Sequence, residues 1–405
     1  MLCQFTFRNY RSYRDEAELS MQATPMKEFE RSLIACPDGQ GFLPVAAVYG
    51  PNAGGKSNLL EALDYVRSAV ARPIRLLSAS ADAPGGDRPS IPRCSAFGFD
   101  DVSATEPTEF ELYYRAGDHE YRYALSVHAD EIVSEGLWRR KLGASRTAML
   151  FEREGAKVEL GPTLRKLVTA ARFNPSLPYL SFLCINFDAP VVQEAASWFL
   201  DAVFLNYNSS YLERMLEQML DEGDSREVTR FLCAVDVRID GFRVERAPEW
   251  RGQRVFVRHE VGGKAYELRL SEESAGTQKL MGLAAYLMTA LERGGTVVVD
   301  ELDAKLHSKL LRYVILLFKD PEVNKSGAQL IFTSQDVSTM RNDVFRRDEI
   351  WFAARGEGEA SQLWSLADIH EANGNLVSKN AAFDKQYLSG RYGADPYLTR
   401  IEEWD

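Results

Sequence analysis

Residues 50–57 read Gly-Pro-Asn-Ala-Gly-Gly-Lys-Ser. They lie between the apolar run Val45, Ala46, Ala47, Val48, Tyr49 and a segment in which Leu59, Leu60, Leu63, Val66 and Val70 recur at helical spacing. Gly50, Gly55, Lys56 and Ser57 fill the four fixed positions of G-x-x-x-x-G-K-[ST]. A phosphate accounts for that spacing. Glycines let the backbone curl until its N–H groups face phosphate oxygens. Lys56 is placed to reach the β- and γ-phosphates, and the Ser57 hydroxyl to face Mg²⁺. The helix beginning here aims its positive end at the same point. The expected ligand is therefore a nucleoside triphosphate with Mg²⁺, contacted by Gly50, Pro51, Asn52, Ala53, Gly54, Gly55, Lys56, Ser57 and Asn58.

Composition narrows the setting. The chain has 405 residues, 45% hydrophobic and 26% charged, with a net charge of −11. That predicts a soluble globular protein with length for two or three structural units. So acidic a chain is a poor non-specific nucleic-acid binder as a whole, although a local basic groove is compatible with it. No apolar run approaches eighteen residues, so no membrane span is expected. The opening residues lack a signal-peptide pattern, and the expected location is cytoplasmic. Cys3, Cys36, Cys94, Cys184 and Cys233 are scattered and odd in number, which reads as reduced thiols, mostly buried. The five histidines show no metal-ligand spacing.

Along the chain, the first 25 residues alternate as two strands joined by a polar loop, and 27–43 read as loop. The helix after residue 57 is expected to end near Val70, followed by a Pro- and Gly-rich flexible loop over 71–93. Phe110, Leu112 and Tyr114, a turn at 116–118, then Tyr121, Tyr123, Leu125 and Val127 predict an antiparallel hairpin. Residues 162–235 read as mainly helical. Leu212, Met215, Leu216, Met219 and Leu220 share one helical face there, as do Val228, Phe231, Leu232 and Val235; both stripes read as core packing. Strands resume over 242–270, and strand and helix alternate over 271–370.

The second half of a nucleotide site follows. Thr296 to Val299 form a buried-strand run ending in Asp300 and Glu301. Carboxylates at that strand end suit Mg²⁺ held through its water shell by Asp300, and a general base at Glu301. Upstream, Ser274, Ala275, Gly276 and Thr277 open a helix whose apolar face is Leu280, Leu283, Ala284, Leu287 and Leu291. Small residues at a helix start invite an anion.

The order of these elements resembles the ATP-binding-cassette class and its SMC-like branch. Ser-Ala-Gly-Thr-Gln looks like a variant of its signature motif. Asp303 and His307 lie in a segment resembling its D-loop. Residues 329–336 resemble the switch-loop strand, with Gln335 where histidine is usual. A glutamine amide still donates a hydrogen bond but does not titrate, so slow hydrolysis is one expectation. No glutamine occurs between Lys56 and Asp188, so the usual Q-loop residue has no counterpart there.

Phe7 to Tyr13, Glu273 to Thr277, residues 297–307 and the tail from Tyr387 to Pro396 extend the resemblance to stand-alone AAA-15 or abortive-infection ATPases, relatives of the overcoming-lysogenization-defect nucleases. The implied fold is α/β: an ABC/SMC-like P-loop ATPase with a two-lobed nucleotide-binding domain, an antiparallel β subdomain and a helical insertion. The implied boundaries are 1–160, 161–240 and 241–405. The resemblance further implies that the signature residues Ser274, Ala275, Gly276 and Thr277 act in trans, in a homodimer across two ATP sites. The role implied is a scaffold in anti-phage defence controlling a separate, nuclease-like effector, since no Toprim domain fits after Gln335. Two other readings stay open. One is a DNA-clamping or repair ATPase using Arg8, Arg11, Arg14, Arg139, Arg140 and Lys141. The other is a nucleotide-dependent assembly with negligible turnover.

Overall fold

The computed structural model describes residues 1–79, 91–168, 172–206, 226–235, 239–246, 253–371 and 374–394. The strands are β1 (Leu2–Arg8), β2 (Ala17–Ser20), β3 (Ile34–Ala35), β4 (Gly41–Phe42), β5 (Val45–Tyr49), β6 (Thr108–Ala116), β7 (His119–His128), β8 (Glu131–Lys141) and β9 (Thr147–Glu154). They continue as β10 (Lys157–Leu160), β11 (Val203–Asn206), β12 (Gly241–Arg246), β13 (Gln253–Val261), β14 (Lys264–Arg269), β15 (Thr296–Asp300), β16 (Gln329–Thr333), β17 (Ile350–Arg355) and β18 (Ser361–Ser365).

β5 has all five residues buried, as a strand covered on both faces must. It lies inside a sheet ordered β11-β15-β16-β5-β17-β18, parallel except for β18. Alternation divides its side chains between two cores. Ala46 and Val48 join one with Val298 and Ile331; Val45, Ala47 and Tyr49 join the other with Val297, Val299, Leu330 and Phe332. The first core also holds the helix Lys56–Ala79 and the inner face of an antiparallel sheet ordered β10-β9-β8-β7-β6-β1-β2. In that sheet Phe110 faces Leu125 and Leu112 faces Tyr123, so the expected hairpin is present, turning at Gly117 with φ 52°. The second core takes the helices Ala275–Arg293 and Ser308–Lys319.

Gln329 joins the two sheets. It is wholly buried at the start of β16; its Oε1 accepts from Leu2 N (2.7 Å) and its Nε2 donates to Leu2 O (3.0 Å). A buried amide matched to both backbone groups of one residue pairs polar groups that burial would otherwise leave unsatisfied.

Several expectations change. The helix after the glycine loop runs to Ala79, through Pro73, and not to Val70; the expected flexible loop at 71–93 is helical over 71–79, while 80–90 lie outside the described residues. Proline removes one rung of the ladder. Ala71 and Ile74 are nevertheless buried, and Ser181 Oγ donates to Val70 O (2.8 Å), so tertiary packing carries the helix onward. The segment over 162–235 contains helices Pro162–Arg165, Tyr179–Asn186, Pro190–Asp201 and Arg226–Ala234, but also β11, which extends the parallel sheet beside β15. Val203, Phe204 and Leu205 form too short an apolar run to signal a strand next to a helix. The stripe from Leu212 to Leu220 lies outside the described residues, as do Asp395 and Pro396 of the tail. Residues 27–43 carry the small ribbon β3–β4. Near the end, β17 and β18 form an antiparallel pair without a helix between them, which breaks the expected alternation. The five cysteines are unpaired; Cys3 and Cys94 are buried, Cys36 and Cys184 half-buried and Cys233 exposed. No helix among the described residues is long and apolar enough to cross a membrane.

Candidate nucleotide site

The glycine loop leaves the carboxyl end of β5, where ligands gather in open α/β sheets. Gly50 takes φ 146° and Gly55 φ 108°. Their backbones also pass too close to neighbours for a side chain: a Cβ on Gly50 would run into the Ala353 carbonyl of β17, and one on Gly55 into Ser361 Oγ of β18. The loop is braced from the N-terminal region as well. Tyr13 OH donates to Gly55 O (3.3 Å), Asn58 Nδ2 to Ser12 Oγ (2.7 Å), and Ser361 N to Ser12 O (2.7 Å). Arg355 Nε donates to Ala53 O (2.9 Å), at a residue with φ 60°.

Lys56 is buried, and its Nζ donates to Gly50 O (2.8 Å) and Pro51 O (2.9 Å). Burial lowers its pKa below the ordinary lysine value, with Asp300, Asp303 and Glu301 opposing that shift. Ser57 Oγ donates to Asp300 Oδ1 (3.2 Å). The Thr333 hydroxyl at the end of β16 donates to the same carboxylate oxygen (2.6 Å) and accepts from Glu301 N (2.7 Å). Glu301 has φ 52°, a left-handed conformation that costs a non-glycine residue on the order of 1–3 kcal/mol. Thr333 thus fixes the backbone of the expected base while tying Asp300 to the switch strand. Asp303 Oδ2 accepts from both Gln335 N and Asp336 N (3.0 Å each), joining the turn after β15 to the switch loop.

Ser57, Asp300, Thr333 and the Glu301 backbone therefore form one bonded group, with Lys56 held on the loop carbonyls and Asp303 on the backbone of Gln335 and Asp336. It suits Mg²⁺–ATP. Asp300 and Ser57 offer oxygens to a hard cation, and Asp303 Oδ1 is a buried acceptor without a hydrogen-bond partner in the network. Two expected residues engage the chain itself: Asn58 binds Ser12, and His307 Nδ1 accepts from Lys309 N (3.1 Å) as the cap of its helix. The signature residues form a separate feature. Ser274 caps the helix Ala275–Arg293, its Oγ accepting from Thr277 N (3.1 Å); Ser274 and Ala275 are exposed, and Gly276 lies beside the Lys305 carbonyl.

Thr333, Ser12 and Ser361 escaped the sequence reading. Thr333 carried one usable signal, a hydroxyl closing the apolar run Leu330, Ile331, Phe332. Four of the six basic residues of the open DNA reading face carboxylates. Arg8 pairs with Glu109 (2.8 Å) and Glu106 (3.6 Å), Arg11 with Glu61, Arg14 with Asp15 (3.0 Å) and Arg140 with Glu120 (2.5 Å).

A family model described as "AAA domain, putative AbiEii toxin, Type IV TA system" matches residues 45–341. No curated protein matches the chain. Among solved structures it is similar to the SMC head domain from Thermotoga maritima, at 13% identity and TM-score 0.41, covering 90% of this chain and 98% of that one. An SMC head bound to the C-terminal winged-helix domain of ScpA gives the same identity and TM-score, with 90% and 97% coverage.

Proposed function

Because the chain belongs to the AAA-domain family described as putative AbiEii toxin of a type IV toxin–antitoxin system, a P-loop ATPase class, we propose that it binds and hydrolyses ATP. In this reading two copies close on two nucleotides, and that closure regulates a separate effector, such as a nuclease, in bacterial anti-phage defence. The observation that carries the ATPase part is the continuous bond path Ser57–Asp300–Thr333–Glu301. It brings Ser57, Asp300 and the Glu301 backbone together beside the glycine loop, which supports metal-ligand and base roles there.

The residues divide the work as follows. Backbone N–H groups of 52–57 and Lys56 Nζ bind the β- and γ-phosphates, Lys56 exchanging the Gly50 and Pro51 carbonyls for them. Ser57 and Asp300 hold Mg²⁺. Glu301, its backbone fixed by Thr333, accepts a proton from water, a contribution typically of roughly 10²–10⁴ in rate. Mg²⁺–ATP supplies the anhydride that is cleaved and the charge that the site neutralises. The Ser274–Thr277 tip, exposed at Ser274 and Ala275, serves the γ-phosphate of the second copy. ADP lacks that group, so only ATP favours the closed pair.

The DNA-clamp reading is compatible with the same fold, and the ion pairs of Arg8, Arg11, Arg14 and Arg140 reduce the charge it would offer to phosphates. The reading with negligible turnover keeps one observation, the uncharged Gln335 on the switch loop. A turnover assay with Mg²⁺, run beside a sedimentation measurement of nucleotide-dependent pairing, separates the inert assembly from the other two, and salt-dependent binding to plain duplex DNA separates those two. Pairing with turnover supports the proposal, pairing without turnover supports the inert assembly, and neither contradicts both.

A further inference from the structure

Glu273 stands immediately before the cap of the signature helix. Its carboxylate is only 11% exposed, and Oε1 lies 2.7 Å from His259 Nε2 on β13. A carboxylate only accepts, so Nε2 carries the hydrogen. The remaining bonds of the tip are made by other groups. Gln278 Nε2 donates to Glu273 O (2.6 Å), and the Ser274 and Thr277 hydroxyls pair at 2.8 Å. His259 itself stands on firm support. β13 is bonded to β12 on one side and β14 on the other, and Val255 and Val257, on the same face by alternation, are buried.

A helix N-terminus attracts any anion, because its first N–H groups lack intrahelical partners. A free carboxylate one residue before the cap could turn onto those groups. It would then compete with a phosphate for the same donors, and repel it.

We propose that His259 is a positioning residue for the signature tip: by holding the Glu273 carboxylate on the three-stranded sheet β12-β13-β14, it keeps a competing negative charge away from the donors meant for a second copy's triphosphate. This rests on the reading above, in which the Ser274–Thr277 tip acts in trans. It adds a specific role for a sheet that the nucleotide chemistry does not otherwise use.

The test uses the full chain. The concentration of a non-hydrolysable ATP analogue giving half-maximal pairing is read by sedimentation, and ADP affinity of the single copy by calorimetry. His259→Ala is expected to keep ADP affinity and to need about tenfold more analogue, the size of one charge-assisted bond or helix-end charge. Adding Glu273→Gln to His259→Ala removes the competing charge and should return the value to within about twofold of the starting protein. A purely structural contact would not be rescued in this way. Unchanged pairing in His259→Ala, or a double variant as impaired as the single one, overturns the role of His259. Loss of ADP affinity that the second change does not restore overturns it too. Gly276→Asp separates this from the underlying reading, since a side chain there meets only ordinary contact with Lys305 O. If Gly276→Asp abolishes pairing while His259→Ala does not, only the His259 role fails. If Gly276→Asp pairs normally, the trans reading fails and the His259 role with it.

Discussion

Ser57 Oγ and Asp300 Oδ1 are 3.2 Å apart although 243 residues separate them in sequence. β5 and β15 deliver them, with β16 lying between these two strands. The start of the helix after β5 and the ends of β15 and β16 thus meet at one point, where Asp300 Oδ1 accepts from both Ser57 and Thr333.

Lys56→Ala should lose nucleotide binding. Two charge-assisted bonds to phosphate are replaced by none, at roughly 1.5–3 kcal/mol each, so affinity should fall by about a hundredfold or more. Calorimetric titration with ATP measures this directly, and an unchanged affinity contradicts the phosphate-cradle assignment.

Thr333→Val keeps the shape of the side chain and removes its hydroxyl. Glu301 N and Asp300 Oδ1 each lose a partner. The expected cost is about 1–3 kcal/mol in urea unfolding, with turnover reduced more than ATP affinity, because the strained Glu301 loses its anchor. Equal losses in both would place Thr333 in binding alone.

The Arg115 guanidinium, donating to both oxygens of Asp38, holds that carboxyl below its ordinary pKa. An acid with a lowered folded pKa binds fewer protons folded than unfolded. Its stabilisation is complete above the unfolded value, about 3.9, and fades as pH falls through the lower folded value. Asp38→Asn should therefore unfold with less dependence on pH below about 4. Urea titrations at pH 3 and pH 6 test it; identical pH dependence in both proteins would contradict it.

Plain duplex DNA should bind weakly at physiological salt, with a shallow salt dependence, because Arg8, Arg11, Arg14 and Arg140 already face carboxylates. Tight binding with a steep salt slope would instead favour the clamp reading.

What could be read from the sequence depended on the range of each signal. The glycine loop, β5 and β15 were legible because their residues act locally. Glycines answer a backbone need, and a wholly apolar strand ending in two acids, downstream of such a loop, points to a metal-holding turn. The hairpin β6–β7 was legible from its alternation. Thr333 was not, since one hydroxyl after an apolar run has no pattern until β16 is seen between β5 and β15. The helix beyond Pro73 and the strand β11 were hidden for a related reason. Pro73 argued against the first and the shortness of the Val203–Leu205 run hid the second, and contacts with Ser181 and with β15 decided both. The His259–Glu273 pair joins a strand to a helix cap fourteen residues on, which no periodicity announces.

The central claim is that ATP joins two copies of this chain, and Glu301→Gln tests it most directly. With the base removed but Ser57, Asp300 and Lys56 intact, sedimentation in Mg²⁺–ATP should show a stable pair that ADP does not produce, with turnover reduced at least about a hundredfold. A Glu301→Gln protein that binds ATP yet sediments as a single copy, or that hydrolyses ATP at the full rate, would contradict the account.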